Sequence, residues 1–167
     1  SISHEIIVVD DHSTDETESF CRAQLKLQPN LRYCRLPENR GFGRACNHGA
    51  EQARGQWLVF LNNDTEPETG WLEAAVARMQ SDPSIGIVGA KLLYPDRTVQ
   101  HCGIEFFWAD NPDYKIWPLH RHLGAAEHDP KANIEGQVMA VTGACLFIAR
   151  DLFSRINNRV PARKPDR

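Results

Sequence analysis

Glu5-Ile-Ile-Val-Val-Asp-Asp-His-Ser-Thr-Asp15 opens as an apolar, β-branched run and stops abruptly in carboxylates. Such a run reads as a buried strand whose carboxyl end opens into a polar loop. Ser13 and Asp15 stand where helix N-caps belong, with Glu16 and Glu18 at capping-box distance, so a helix is expected to run to about Leu27. Outward from this stretch the pattern repeats. Residues 31–36 form an expected second strand, and residues 45–53 are alanine-rich enough for a helix that stops near Gly55. Trp57-Leu-Val-Phe-Leu61 is an expected third strand that again ends in polar residues, Asn62-Asn63-Asp64. A helix over residues 69–80 carries Trp71, Leu72, Ala75, Val76 and Met79 at helical spacing, and residues 85–93 read as a fourth strand.

Strands alternating with helices of about ten residues predict a parallel, doubly wound α/β sheet. Ligands of such sheets bind outside the carboxyl ends of the strands, where the two acidic and amide clusters lie. Residues 98–128 are aromatic, histidine-rich and proline-containing, and read as loops with a short strand around Ile104. Order is expected again over residues 138–142 and 145–149, with a helix beginning at Arg150. Residues 157–167 are basic with two prolines and read as a disordered tail.

The 167 residues, 41% hydrophobic and 25% charged, fit one globular domain with a single core. A net charge of -3 with interspersed signs gives no concentrated basic face, so nucleic acid is not an expected partner. No apolar run approaches membrane-spanning length. Five cysteines, odd in number and without a C-x-x-C pair, predict reduced thiols in a cytoplasmic protein rather than a disulfide framework.

Two readings fit Asp10, Asp11, Ser13 and Asp15. In one they form a capped turn, with Ser13 and Asp15 on helix amides and Asp10 in solvent; in the other Asp11 accepts from a nucleobase N–H while its neighbours hold a ribose. Asn62, Asn63 and Asp64 likewise read either as a polar turn or as a site where a carboxylate holds a divalent ion between phosphates. Gly41-Phe-Gly43 lies on a strand-to-helix loop, but Cys46 occupies the third glycine position, which speaks against dinucleotide binding. Arg40 on that loop suits a base or phosphate contact. His120, His122 and His128 lack the ligand spacing of a zinc site.

Taken together, Val8-Val-Asp-Asp-His-Ser-Thr-Asp15, Pro37-Glu-Asn-Arg-Gly-Phe-Gly43, Asn47-x-Gly49, Phe60-Leu-Asn-Asn-Asp-Thr65, Gly70-Trp-Leu72 and Val141-Thr-Gly-Ala-Cys145 resemble the ordered signature of family 2 glycosyltransferases of the GT-A fold. The Asn-Asn-Asp-Thr form, Gly86-Ile-Val-Gly-Ala-Lys-Leu-Leu93 and Gln100-His-Cys-Gly103 are similar to bacterial rhamnosyltransferase-like members that build surface polysaccharide. The resemblance implies a nucleotide-sugar donor, UDP- or dTDP-linked with dTDP-rhamnose foremost, and a saccharide or lipid-linked acceptor. It places Asp10, Asp11, Ser13, Asp15, Arg40, Gly41, Asn47, Asn62 and Asn63 at the nucleotide. Asp64 falls at the metal-binding aspartate for Mg2+ or Mn2+, and Thr142, Gly143 and Ala144 at the donor-sugar and acceptor side. Asn62 departs from the usual first aspartate of D-x-D, which implies ribose contact by an amide.

The resemblance divides the domain into a nucleotide-binding half, residues 1–95, and the start of an acceptor-binding half, residues 96–156. It further implies that a first strand ending in Pro-x-Tyr-Asn and a later acidic pair that supplies the general base lie outside this sequence. A fragment of this kind is expected to bind donor weakly, transfer no sugar and self-associate as a homo-oligomer through exposed apolar strands. Asp110, Asp113 and Glu135 are the substitute bases that remain. The whole protein is expected in the cytoplasm or peripherally at the inner face of the membrane. Two other functions stay open: a noncatalytic nucleotide-sugar-binding remnant, and a sugar nucleotidyltransferase, whose glycine- and basic-rich pyrophosphate loop is not visible near the start.

Overall fold

The computed structural model describes residues 2–108 and 115–157. Contacts divide them into two compact units, one running up to Leu58 and resuming at Ala149, the other running from Val59 to Ile148. The first unit begins with β1 (Ile6–Asp10) and α1 (Thr17–Gln24), followed by β2 (Leu31–Arg35) and α2 (Phe42–Gln52). Strands β1 and β2 pair in parallel, Ile6 against Leu31 through Asp10 against Arg35. This is the βαβ beginning expected from the alternation of apolar strand and amphipathic helix. Helix α2 lies close on β1, so a Cβ on Gly49 would stand 3.0 Å from the Val9 Cγ2. That contact leaves little room for a larger residue at Asn47-His-Gly49.

Two expectations for α1 are corrected. Neither Ser13 nor Asp15 caps it in the expected way: the helix starts after Glu16 without a side-chain cap. Asp15 instead accepts from the Thr17 amide at 3.0 Å and its hydroxyl at 2.5 Å, and Glu18 turns to Arg22 and Arg35. The helix also ends at Gln24 rather than Leu27, and residues 25–27 continue as turns. Helix α2 in turn starts earlier than expected, at Phe42 directly after Gly41.

The second unit contains most of β3 (Trp57–Leu61), then α3 (Trp71–Ser81), β4 (Ile87–Gly89), β5 (Leu92–Leu93), β6 (Val99–His101), β7 (Ile104–Trp108), β8 (Ile116–His120) and most of β9 (Cys145–Ala149). Helix α4 (Arg150–Asn157) belongs to the first unit. The sheet order is β3-β9-β4, with β4 antiparallel to β9, so the expected single parallel sheet is corrected: the parallel pair β1-β2 stands as its own two-stranded sheet, and β9 brings antiparallel pairing into the three-stranded one. The expected fourth strand over residues 85–93 is two strands: β4 pairs with β9, while β5 pairs antiparallel with β6. The region expected to be loops with a short strand around Ile104 holds three strands: β7 begins at Ile104 as expected, β6 precedes it, and β8 pairs antiparallel with it in the register Ile104 against His120. Residues 138–142 contribute a single bridge, Ile104 to Ala140, rather than an ordered strand. The basic tail, from residue 158 onward, lies outside the described residues.

The deepest side chains of the second unit are Val99, His101 and Phe147, each below 2% exposure. Trp71 of α3 packs edge-on against Phe147 of β9, with ring centroids 5.5 Å apart. Arg97, at φ 67, clasps Glu68 and Glu127, fixing the entry to α3 against the loop that follows β8. Among the described residues no helix is long and apolar enough to cross a membrane.

Candidate functional site

At the carboxyl end of β1 the two aspartates have separate tasks. Asp10 is buried, which corrects the reading that left it in solvent. One of its oxygens accepts from the Ser13 amide at 2.7 Å and the other from the Tyr33 hydroxyl at 2.5 Å, with the Arg35 guanidinium 3.6 Å away. Burial alone would raise the Asp10 carboxyl, but Tyr33, Ser13 and Arg35 outweigh it and hold it below the usual carboxylate range. Burial, with the Asp10 pairing second, pushes the Tyr33 phenol up to about 12. Ser13 thus serves this turn through its backbone.

Asp11 faces the loop after β2. Its two oxygens accept from the successive amides of Arg40 and Gly41, each at 2.7 Å. A carboxylate has about four acceptor sites, so each oxygen keeps one lone pair beyond this clasp. Two residues with positive φ shape the clasp: His12 at φ 66, with its Nδ1 donating to the Leu36 carbonyl at 3.3 Å, and Gly41 at φ 78. The Arg40 guanidinium lies on Glu38 at 3.0 Å, exposed and close enough to be re-aimed by a ligand. A cavity of about 320 Å³ beside the loop is lined by Leu36, Arg40, Arg44, Asn47, His48 and Glu51 among others. The structure therefore brings Asp11, Arg40 and Gly41 together and sets Asn47 on the wall of the neighbouring cavity. Asp15 is exposed and spent on Thr17.

At the carboxyl end of β3, the Asn62 amide donates to the Ala144 carbonyl at 2.9 Å, and the Asn62 carbonyl accepts from Thr65 at 3.2 Å. Asn63 and Asp64 follow on this turn, both exposed. No hydrogen bond or ion pair engages the Asp64 carboxylate among the described residues, where Asp10 and Asp11 are each held by several donors. The donor set suits a magnesium- or manganese-type ion that takes one carboxylate and fills its octahedron with phosphate oxygens and water. Among the described residues there is no cluster of three His, Cys, Asp or Glu side chains that could hold a metal ion by itself.

Residues 142–144 return beside β3. The Ala144 amide donates to the Thr142 Oγ1 at 3.3 Å, and the Thr142 amide donates to the Nε2 of His101, also at 3.3 Å. His101 Nδ1 stands 3.0 Å from the Nδ1 of His120, with the rings edge to face at 77°. Burial, with His120 second, pushes His101 down to about 4. Sequence reasoning missed this pair. The signal was present in Val99-Gln-His101, where a strand period of two puts Val99 and His101 on the buried face and Gln100 outside. His122 and exposed His128 do not join the pair in a metal cluster. Glu135, one of the substitute bases, is occupied by Arg78 at the mouth of a second cavity of about 640 Å³. Asp110 and Asp113 lie outside the described residues.

The fold and these two strand ends define a mixed α/β protein that presents a carboxylate-clasped loop and an exposed Asn-Asn-Asp turn. The model of glycosyl transferase family 2 matches residues 3–156, and the chain belongs to that family. It is 30% identical over 158 residues to the O-antigen biosynthesis protein RfbC of Myxococcus xanthus, covering 91% of this chain and 12% of that protein. The glycosyltransferase AglE of Haloferax volcanii is 34% identical over 95 residues, covering 56% of this chain and 31% of AglE. This chain thus spans less than a third of the length of either curated relative. The GT-A fold is shared with a solved mannosyltransferase, PcManGT of Pyrobaculum calidifontis in complex with GDP-Man and Mn2+. That match has a TM-score of 0.50 and 32% identity, and covers 55% of this chain and 27% of the solved chain.

Proposed function

We propose that this chain is the donor-handling part of an inverting, metal-dependent glycosyltransferase. The whole protein would move a sugar from a nucleoside-diphosphate donor to a saccharide or lipid-linked acceptor in surface polysaccharide synthesis. One observation carries the reading: Asp64 is presented at a strand end, exposed and without a protein partner among the described residues, on a turn whose first residue is pinned to Ala144. An exposed carboxylate held on a fixed turn costs little to present and is available to a ligand that brings its own cation. Family membership and the Mn2+ and GDP-Man of the PcManGT complex support the same role.

In this reading residues 1–95 handle the nucleotide and residues 96–156 begin the side facing sugar and acceptor. Asp64 would hold Mg2+ or Mn2+, with Asn62 and Asn63 offering amides to ribose or phosphate. A bound divalent ion supplies charge neutralisation for the departing diphosphate. Arg40, freed from Glu38, supplies a guanidinium at the base or phosphate. Thr142, Gly143 and Ala144 border the sugar. Direct displacement at the anomeric carbon needs a carboxylate base on the acceptor hydroxyl. None of the described residues is assigned that task.

The donor base is proposed to be a pyrimidine, with dTDP-rhamnose as the first sugar nucleotide to try. The basis is the rhamnosyltransferase-like Asn-Asn-Asp-Thr and Gln100-His-Cys-Gly103 segments. A purine donor is the second reading, favoured by GDP-Man in PcManGT and by the finding that Asp11 is committed to the loop amides. Peripheral attachment at the inner membrane face and homo-oligomer formation belong to the proposal for the whole protein. Calorimetry with UDP, dTDP and GDP, each with and without Mn2+, is the test. Mn2+-dependent binding of a nucleoside diphosphate is expected. Failure of all three to bind would end the reading, and a preference for GDP would replace the pyrimidine donor.

A further inference from the structure

We propose that His101 is a positioning residue that holds the backbone of residues 142–144 in place for the donor sugar, with His120 fixing the imidazole tautomer this requires. The inference rests on the function proposed above and adds a residue to its site. Residues 138–144 are poorly tied by sheet pairing. The Ala140 carbonyl accepts from Ile104 at 2.9 Å, and the Ala144 carbonyl accepts from Asn62 at 2.9 Å. Between these two points His101 is what engages the Thr142 amide. An amide N–H can only donate, so Nε2 of His101 must be bare and its proton must sit on Nδ1. That proton points at His120 Nδ1, 3.0 Å away, which must therefore be bare in turn, leaving the His120 proton on Nε2.

The result is a directed chain, Thr142 amide to His101 to His120, in which each ring tolerates one tautomer only. Because the Ala144 carbonyl in turn receives the Asn62 amide, a shift at Thr142 passes to the turn that carries Asp64. A leucine would fill the same buried space but leave the Thr142 amide without its acceptor. Burying an imidazole at 1% exposure is otherwise a costly way to fill a core.

The test uses the full chain, 15N-labelled, near neutral pH. Long-range proton–nitrogen correlation is expected to show His101 protonated on Nδ1 and His120 protonated on Nε2. An Nε2-protonated His101 overturns the proposal. Calorimetry with UDP and Mn2+ then compares two variants. His101→Gln carries its amide oxygen near the Nε2 position and should keep affinity within about threefold, whereas His101→Leu should lose about tenfold, the scale of one lost hydrogen bond. Equal affinity of the two variants overturns the proposal. If His101→Leu does not fold, His120→Phe, on an exposed position, keeps a ring and removes the acceptor. It should disturb the His101 tautomer and the Thr142 amide resonance, and unchanged spectra overturn the proposal. If the unaltered chain binds no nucleoside diphosphate, the proposed function and the donor-side role fall together. The tautomer result then still decides whether His101 holds Thr142.

Discussion

The carboxyl ends of β1 and β3 read alike in sequence, an apolar run closed by a cluster of acids and amides, yet the structure uses them differently. At β1 the acids are consumed: Asp10 by Ser13, Tyr33 and Arg35, and Asp11 by two loop amides. At β3 the backbone is pinned by Ala144 while the Asp64 side chain is left to solvent. An acid that satisfies backbone donors builds a site, and an acid that satisfies none is available to a ligand. Residue type and spacing do not separate the two cases; the partners do.

The largest expected effect tests the first half of that contrast. Asp10→Ala strands a half-buried phenol, a backbone amide and part of a guanidinium, and should cost about 3 kcal/mol of unfolding free energy in urea titration. A loss no larger than that of an exposed substitution would mean Asp10 is not the lock of the β1 end.

Acid sensitivity sharpens the contrast between buried groups. His101 has its folded value near 4, below the ordinary 6.5, so it is neutral in the fold while the unfolded chain takes the proton first. Its contribution is complete above about pH 6.5, is lost as pH falls from there towards 4, and changes no further below, on the order of 3 kcal/mol in all. Asp10 is depressed below 3.8, so its contribution is full above that value and is lost only as pH falls through its folded value. The His101 step should therefore lie at higher pH than the loss that Asp10 shares with the other depressed carboxylates. His101→Gln should remove the upper step and leave the lower, and an unchanged upper step would place its origin elsewhere.

Three elements were legible because their signals are local. The β-branched run before Asp10, the apolar run Trp57–Leu61 and the helical spacing of Trp71 to Met79 each declare one element without reference to the rest. The strand pairings of the second unit were less legible because they join distant segments. Nothing near Ile87 announces Ile148 as its partner, and the break at Ala90 and Lys91 hides inside one apolar stretch. The β7–β8 hairpin was hidden for another reason: Phe106, Phe107, Trp108, Ile116, Trp117 and Leu119 are all substantially exposed, so the usual alternation of apolar and polar residues is missing. In the site, the positions of Asp11 and Asp64 were read from motif order, whereas the work each carboxylate does depends on which amides the fold brings to it.

A middle-sized effect tests the second half of the contrast. Asp64→Ala should leave the unfolding midpoint where it is, because the exposed side chain makes no hydrogen bond or ion pair among the described residues. It should remove the Mn2+-dependent gain in nucleoside-diphosphate affinity, expected at about tenfold. Retention of that gain would make Asp64 another solvated turn residue and erase the difference between the two strand ends.

The smallest expected effect is the most discriminating for donor recognition. Asp11→Asn exchanges one acceptor oxygen for a donor NH2, which faces either the Arg40 or the Gly41 amide and cannot accept from it. One of two clasping hydrogen bonds is lost, costing about 1 kcal/mol of stability. Because the clasp shapes the Arg40 loop as a whole, affinity for UDP, dTDP and GDP should fall together, by about two- to threefold each, with their ratios unchanged. A direct contact between Asp11 and the nucleobase predicts something else. Uracil and thymine each present one ring N–H where guanine presents an N–H and an amino group, so losing the carboxylate would change the ratios. Three calorimetric titrations on each of two proteins separate these outcomes, and altered ratios would make Asp11 a base reader as well as a loop clasp.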